Sequence, residues 1–119
     1  MQRHLRLRRK EDFARLQQEG RVWQHPLLIV SVTANGLAHN RYGFVTSKRL
    51  GTAVVRNRIR RLLREAVREM HAQLRQGYDI AFVARPRIVG QPLQVVRQAV
   101  SACLQRAGLF QPPAERQSP

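Results

Sequence analysis

At 119 residues the chain is long enough for one domain that buries roughly two-thirds of its unfolded surface, so neither disulfides nor a structural metal is required. Twenty-two basic side chains against 7 acidic ones leave a net charge of +15, which makes nucleic acid the leading partner through counterion release from phosphates. A membrane surface would need a long apolar segment or a helix with bulky aromatics opposite a basic side. A disulfide would need more than the lone Cys103, and a secretory leader more than the charged run from Met1 to Lys10; none of these is expected, and a reducing cytoplasm is the expected setting.

In chain order, Lys10 to Glu19 reads as a short helix, with Phe13 and Leu16 three apart and Gly20 as its stop. Val22 to Gln24 reads as a short strand. Leu27 to Thr33, rich in β-branched residues and starting after Pro26, reads as a second strand. Asn35-Gly36 and Ala38 to Asn40 make a turn. Arg41 to Ser47 is the next strand, with Gly43, Val45 and Ser47 on one face and Tyr42, Phe44 and Thr46 on the other. After a loop at Lys48 to Thr52, a long helix runs to about Arg75 and stops at Gln76-Gly77. Tyr78 to Ala84 is a further strand, ended by Arg85-Pro86-Arg87. Pro92 suits the first turn of a last helix, with Leu93, Val96, Val100, Cys103 and Leu104 on its core face and Gly108 at its end. The order is αβββαβα, an α+β domain over 1–110 with three or four strands in one sheet and a parallel pair joined across the long helix. The polar, Pro-rich segment 111–119 reads as a disordered tail.

The long helix carries the strongest functional signal. At 100° per residue, Val55, Ile59, Leu62, Leu63, Ala66 and Met70 share an arc of about 100°, the width of a core-facing stripe. Asn57, Arg60, Arg61, Arg64 and Arg68 share an arc on the opposite side, flanked by Arg56 and Arg58. A solvated face normally mixes signs so that i,i+4 pairs form. Ala53 to Arg75 holds seven arginines and only two glutamates, Glu65 and Glu69. That imbalance points to a polyanion, and arginine suits phosphate because its planar fork donates two parallel hydrogen bonds and never loses its charge.

The run from Tyr42 to Arg64 (YGFVTSKRLGTAVVRNRIRRLLR) resembles the signature of the bacterial ribonuclease P protein component. Its central mark is Arg56-Asn57-Arg58, followed by Arg60-Arg61. The likeness extends to Glu11-Asp12-Phe13 and to the segment from Tyr78 to Pro86, and covers about residues 6 to 108. The resemblance implies a two-layer αβββαβα sandwich with one mixed sheet and a left-handed βαβ crossover, against the general right-handed rule. It also implies the protein subunit of a ribonucleoprotein endonuclease that removes the 5′ leader from precursor tRNA. The partners are then ribonuclease P RNA, one protein per RNA, and precursor tRNA, with no membrane. Mg²⁺ would enter through the RNA subunit, which carries catalysis, and the protein would hold no cofactor of its own. By this likeness Lys48, Arg49, Arg56, Asn57, Arg58, Arg60, Arg61, Arg64 and Arg68 face the RNA, while Phe13, Val45 and Ser47 line a leader cleft between the first helix and the sheet. Where family members often carry a second aromatic one turn after that Phe, this chain has Gln17; Ser31 stands where a strand can carry Tyr. Stacking contributes ~1–3 kcal/mol per base, so leader affinity here leans on charge.

Other readings compete. Phe13 can equally be a helix aromatic packed on a sheet. His4, His25, His39 and His71 show no ligand spacing. Cys103 reads as core packing, and Trp23 as a core or strand-edge anchor, with an RNA stack as its alternative. A stand-alone nuclease would need an acid/base pair or clustered carboxylates. Asp12 and Asp79 lie in different elements, and Glu65 and Glu69 read as salt-bridging. A general RNA- or DNA-binding protein shares the composition but not the run from Tyr42 to Arg64.

Overall fold

The computed structural model describes residues 1–112, and its regular elements are α1 (Lys10–Glu19), β1 (Arg21–Gln24), β2 (Leu28–Ala34), β3 (Arg41–Val45), α2 (Ala53–Met70), β4 (Tyr78–Ala84) and α3 (Leu93–Arg106). The αβββαβα order and the α+β class expected from the sequence are what the chain adopts. The four strands form one mixed sheet in the order β1-β2-β4-β3. β1–β2 and β2–β4 are antiparallel, and β3 runs parallel to β4, the pair joined through α2.

The register sorts side chains into two faces. Val30 opposes Phe82, which opposes Phe44; Val32 opposes Ile80, which opposes Tyr42. These residues meet α2 and α3 in the main core, where Leu28, Val30, Ile59, Leu63, Ile80, Phe82, Val96 and Val100 have no exposed surface. Phe44 and Phe82 stack at 5.5 Å between ring centroids. Each fully buried aliphatic side chain contributes about 1.5–3 kcal/mol. On the opposite face, α1 covers only part of the sheet, through a small cluster of Leu7, Leu16 and Ala81 with Phe13 packed against it.

Several bounds differ from the sequence reading. The long helix ends at Met70 rather than near Arg75, and His71–Gln73 form a 3-10 turn. The cause is tertiary: Leu74 bridges to Phe110, and the Arg75 N–H donates to the Leu109 carbonyl at 2.7 Å. β3 stops at Val45, two residues early, and Lys48–Leu50 is a 3-10 turn. β1 begins one residue earlier, at Arg21, and β2 is shifted one residue later, to Leu28–Ala34. Pro92 caps α3 from outside the helix. The N-terminal segment, unassigned from sequence, forms a 3-10 turn at Arg3–Leu5 and then lies along β3, with the Leu7 N–H donating to the Tyr42 carbonyl at 2.8 Å. Of the expected tail, 113–119 lies outside the described residues. Gln111 is pinned by its backbone N–H to the Gln73 carbonyl at 2.9 Å.

Candidate RNA interface

α2 starts with two local devices. Gly51 has φ +132°, a conformation that L side chains rarely adopt, and it redirects the chain from the Lys48–Leu50 turn. Thr52 then caps the helix, its hydroxyl accepting from the Val55 N–H at 3.4 Å. Ile59, Leu63, Ala66, Val67 and Met70 are the buried side of α2. Val67 widens that stripe beyond the arc read from sequence. Arg60 and Arg64 therefore sit at its border, half-buried like Arg56, while Lys48, Arg49, Asn57, Arg58, Arg61 and Arg68 are exposed.

Arg60 bridges the helix to β3's extension: one guanidinium nitrogen donates to the Thr46 hydroxyl and another to the Asn57 carbonyl oxygen. Asn57 thus spends its acceptor on Arg60 and keeps its NH₂ donors for a partner, whereas the sequence alone offers both. Burial, then the charges of Arg6, Arg60 and Arg61, push the Arg64 guanidinium below its ordinary pKa. Arg6 and Arg8 line the same cavity as Arg64 and were not singled out from sequence. The available signal was the basic run Arg6, Arg8, Arg9, Lys10, but only the N-terminal segment's pairing along β3 brings it to α2.

The arginines expected on one face are not equivalent. Arg68 forms a two-pronged pair with Glu65, at 2.6 and 3.1 Å, and its guanidinium is the main reason the Glu65 carboxyl is held below its ordinary pKa. Glu69 is taken by Arg97, at 2.6 and 3.1 Å. Both glutamates salt-bridge as read, although Arg97 comes from α3. Among the described residues, none of Lys48, Arg49, Arg56, Arg58, Arg60, Arg61 or Arg64 pairs with a carboxylate.

A second surface lies on the sheet face that α1 half covers. Val22, Ser31, Ala81 and Gly43 form one cross-strand row, and Gln24, Ile29, Val83 and Val45 the next. The Phe13 ring sits on Gly43; a Cβ there would lie 2.6 Å from the ring's Cζ. Phe13 is half-buried, so it both packs and shows an edge, while Val45 and Ser47 are exposed. Ile29, Ser31 and Val83 are half-buried beside it, which leaves an apolar floor next to α1.

What holds α1 there is a buried carboxylate. Asp79 has no exposed surface and accepts from Arg41 Nε at 2.8 Å and Arg41 Nη2 at 2.7 Å, from Arg15 at 3.1 Å and from Asn35 at 3.0 Å. Arg41 also reaches Asp12 at 3.3 Å. Burial works to raise the Asp79 carboxyl, but the hydrogen bonds and charge of Arg41, with Asn35 and Arg15, outweigh it and hold the group below the usual carboxylate range. Asp12 and Asp79 lie in different elements, as read from the sequence, yet share Arg41, and both are engaged in ion pairs rather than open to a reacting group.

His4, His39 and His71, scattered in sequence, surround a cavity of about 580 Å³ shared with Tyr42 and Arg68. Tyr42 Oη and His71 Nδ1 are 2.7 Å apart, and the buried amide of Asn40 donates to the same hydroxyl at 3.1 Å. Burial pushes the Tyr42 hydroxyl up to about 12. Among the described residues, no group of three His, Cys, Asp or Glu is placed to hold a metal ion. Cys103 is buried in the core and burial pushes its thiol up. Trp23 is half-buried at the strand edge, with the Arg21 guanidinium 5.5 Å from its ring centroid. No helix among the described residues is long and apolar enough to cross a membrane.

Comparison with known proteins agrees over nearly the whole chain. The Ribonuclease P family model matches residues 1–108. The ribonuclease P protein component of Herpetosiphon aurantiacus is 44% identical over 110 residues, covering 92% of this chain and 89% of that protein. That of Roseiflexus castenholzii is 42% identical over 112 residues, covering 93% and 92%. Among solved structures, the Staphylococcus aureus RNase P protein superposes with a TM-score of 0.84 at 27% identity, covering 90% of this chain and 98% of that one. The RNase P protein of Thermotoga maritima, solved in complex with 1-(4-fluorophenyl)-2-thiourea, gives 0.79 at 30% identity over 85% and 98%.

Proposed function

The chain belongs to the ribonuclease P protein family, the protein component of the tRNA-processing endoribonuclease that works with ribonuclease P RNA, and from that premise we propose how its two surfaces divide the work. The cations from Lys48 to Arg64 bind the RNA subunit. The observation that carries this is the absence of any carboxylate partner for those seven side chains among the described residues, although four carboxylates elsewhere are each engaged by an arginine. An unneutralised arc of guanidinium groups gains most from a phosphate backbone, by paired hydrogen bonds and counterion release.

The open sheet face beside α1 takes the 5′ leader of precursor tRNA. Phe13, Val45 and Ser47 form its wall and floor, and Ile29 and Val83 extend it. An apolar floor with a single aromatic edge favours a single strand without sequence preference. Asp79 and Arg41 act on this cleft indirectly, by fixing α1. The RNA subunit carries catalysis, Mg²⁺ enters through it, and the protein contributes binding and positioning. One protein per RNA and a cytoplasmic setting complete the reading.

The test is precursor tRNA cleavage at low Mg²⁺ with RNA alone, protein alone and both together. Activity is expected only from the combination. Cleavage by highly purified protein without RNA would overturn the assignment.

A further inference from the structure

The 3-10 turn at Arg3–Leu5, the loop before β3 and the end of α2 border the cavity of about 580 Å³ described above, a size that suits one small ligand. Met1, Leu5 and the Tyr42 ring supply apolar surface, and His4, His39 and His71 join them. The rings meet in two edge-to-face pairs, His4 with His39 at 5.2 Å between centroids and Tyr42 with His71 at 5.6 Å. Neither of the two proposed RNA surfaces uses these histidines.

Hydrogen bonds around the cavity fix which ring nitrogens carry protons. Asn40 is buried, and its side-chain oxygen accepts from the Tyr78 N–H at 2.9 Å. Its NH₂ group therefore donates to the Arg75 carbonyl at 2.8 Å and to the Tyr42 hydroxyl at 3.1 Å. That hydroxyl accepts from Asn40 and gives its own proton to His71 Nδ1, 2.7 Å away. Burial favours the neutral ring of His71, which then carries its proton on Nε2. His39 has the opposite polarity. Its Nε2 lies 3.2 Å from the His4 carbonyl, which only accepts, so Nε2 holds the proton and Nδ1 keeps its lone pair. The lining thus combines a ring N–H donor on His71 with a ring-nitrogen acceptor on His39.

We infer that this cavity binds a small planar heteroaromatic molecule with an amino group next to a ring nitrogen, the edge carried by aminopurines and aminopyrimidines. The amino group donates to His39 Nδ1, the ring nitrogen accepts from His71 Nε2–H, and the ring packs on Leu5 and Tyr42. A free molecule and a nucleotide of RNA carry the same edge, and charge decides between them. Each nucleotide brings a phosphate. Arg68, the one permanently cationic side chain in the lining, already gives Nε and Nη2 to Glu65 at 3.1 and 2.6 Å. A phosphate gains more from the unpaired arc between Lys48 and Arg64, so the cavity suits an uncharged ring. The inference stands apart from the RNA-binding reading and does not need it.

The full chain without RNA is titrated with 2-aminopurine, and with purine, which keeps the ring system and lacks the amino group. Binding is followed by NMR. 2-Aminopurine should shift the ring signals of His39 and His71 and the methyl signals of Leu5, and the shifts should saturate. Purine should bind roughly 2- to 10-fold more weakly, the loss expected for one hydrogen bond between neutral groups. His39→Phe keeps a ring beside His4 and removes the acceptor, so it should weaken 2-aminopurine by a similar factor and leave purine unchanged. His39→Asn, whose side-chain oxygen can stand in for Nδ1, should restore the difference between the two probes. Circular dichroism confirms folding, and the two probes on the wild-type chain carry the test if a variant unfolds. Shifts that do not saturate, shifts away from these histidines, or equal affinity for the two probes overturn the inference. A last titration adds excess ribonuclease P RNA. Retained binding of 2-aminopurine assigns the cavity to a free molecule; its displacement overturns that assignment in favour of a nucleotide of the RNA.

Discussion

Replacing Gly43 with alanine is the sharpest probe of how α1 is seated. The added Cβ would lie 2.6 Å from Cζ and 2.8 Å from Cε1 of Phe13, and 3.2 Å from Cδ2 of Leu7. Carbon atoms rest at about 3.5–4.0 Å, so the ring must retreat by roughly 1 Å. It cannot do so freely, because α1 is anchored by buried Leu16 and by Arg15 on Asp79. Overpacking of this kind costs about 1–3 kcal/mol, a fall in thermal midpoint of about 4 °C per kcal/mol for a domain of this size. Phe13→Ala alone should cost no more than about 3 kcal/mol, since the ring is only half-buried. In the double variant the methyl group occupies space the ring has left. Urea unfolding of the four proteins, with m values checked for equality, should therefore show the double variant to be more stable than the sum of the singles predicts, by about 1 kcal/mol or more. Additivity within about 0.5 kcal/mol would refute the contact, and with it the seating of Phe13 over β3.

RNA affinity should fall steeply with salt, with a slope of roughly −3.5 to −6 if five to seven phosphates are met. Arg64→Ala should lower its magnitude by about one and Arg68→Ala by clearly less, because Arg68 is held by Glu65; equal effects would show that the pairing does not survive RNA binding. Asp79→Ala should cost about 3–5 kcal/mol by urea unfolding, since it leaves Arg41 and Arg15 without their shared partner; a loss under 1 kcal/mol would contradict the network. His71 is pushed below its ordinary value near 6.5 by burial and then by His39 and His4. Between the folded and unfolded pKa values the unfolded chain binds more protons, so this contribution is complete above pH 6.5 and declines as pH falls through that window. Replacing His71 with Gln should flatten the stability–pH curve there, and an unchanged curve would remove His71 as its source.

How much of this was legible in the sequence follows from the range of each interaction. α1 and β4 were read to the residue because their patterns and stops are local: Gly20 after Glu19, Gln76-Gly77 before Tyr78. The end of α2 was not, because its apolar period continues to Leu74, and only the pairing of Leu74 with Phe110 draws the chain out of the helix. The parallel β3–β4 pair was foreseeable from a strand, helix and strand in succession. The insertion of β4 between β2 and β3 was not, since both partners present similar apolar alternation. On the interface, the 3.6-residue period separated core from arginine face but treated all arginines on it as alike. Which of them is neutralised depends on neighbours: Glu65 is one turn from Arg68, while Arg60 has Asn57 and Thr46 instead.

The few acidic side chains explain why so basic a chain folds and still has charge to offer. Asp79 and Asp12 converge on Arg41, with Arg15 on Asp79, and so tie α1 to the far end of β3 and β4. Glu69 ties α2 to α3 through Arg97, and Glu65 fastens Arg68 in the last turn of α2. The first two sets join elements that would otherwise be set by apolar packing alone. Among the described residues the arc from Lys48 to Arg64 takes no carboxylate, and burial, together with the like charges of Arg6, Arg60 and Arg61, pushes Arg64 below its ordinary value. Such a surface is under repulsion in the free protein, and an anion that binds only the folded chain relieves it, stabilising the fold by mass action. If this is right, inorganic phosphate should raise the thermal midpoint of the wild-type chain progressively. Neutralising two exposed members of the arc, Arg58→Gln with Arg61→Gln, should raise the midpoint in phosphate-free buffer and shrink the response to phosphate. A double variant less stable than wild type in low salt, with the phosphate response intact, would mean that the arc is not repulsive and that its charge needs another explanation.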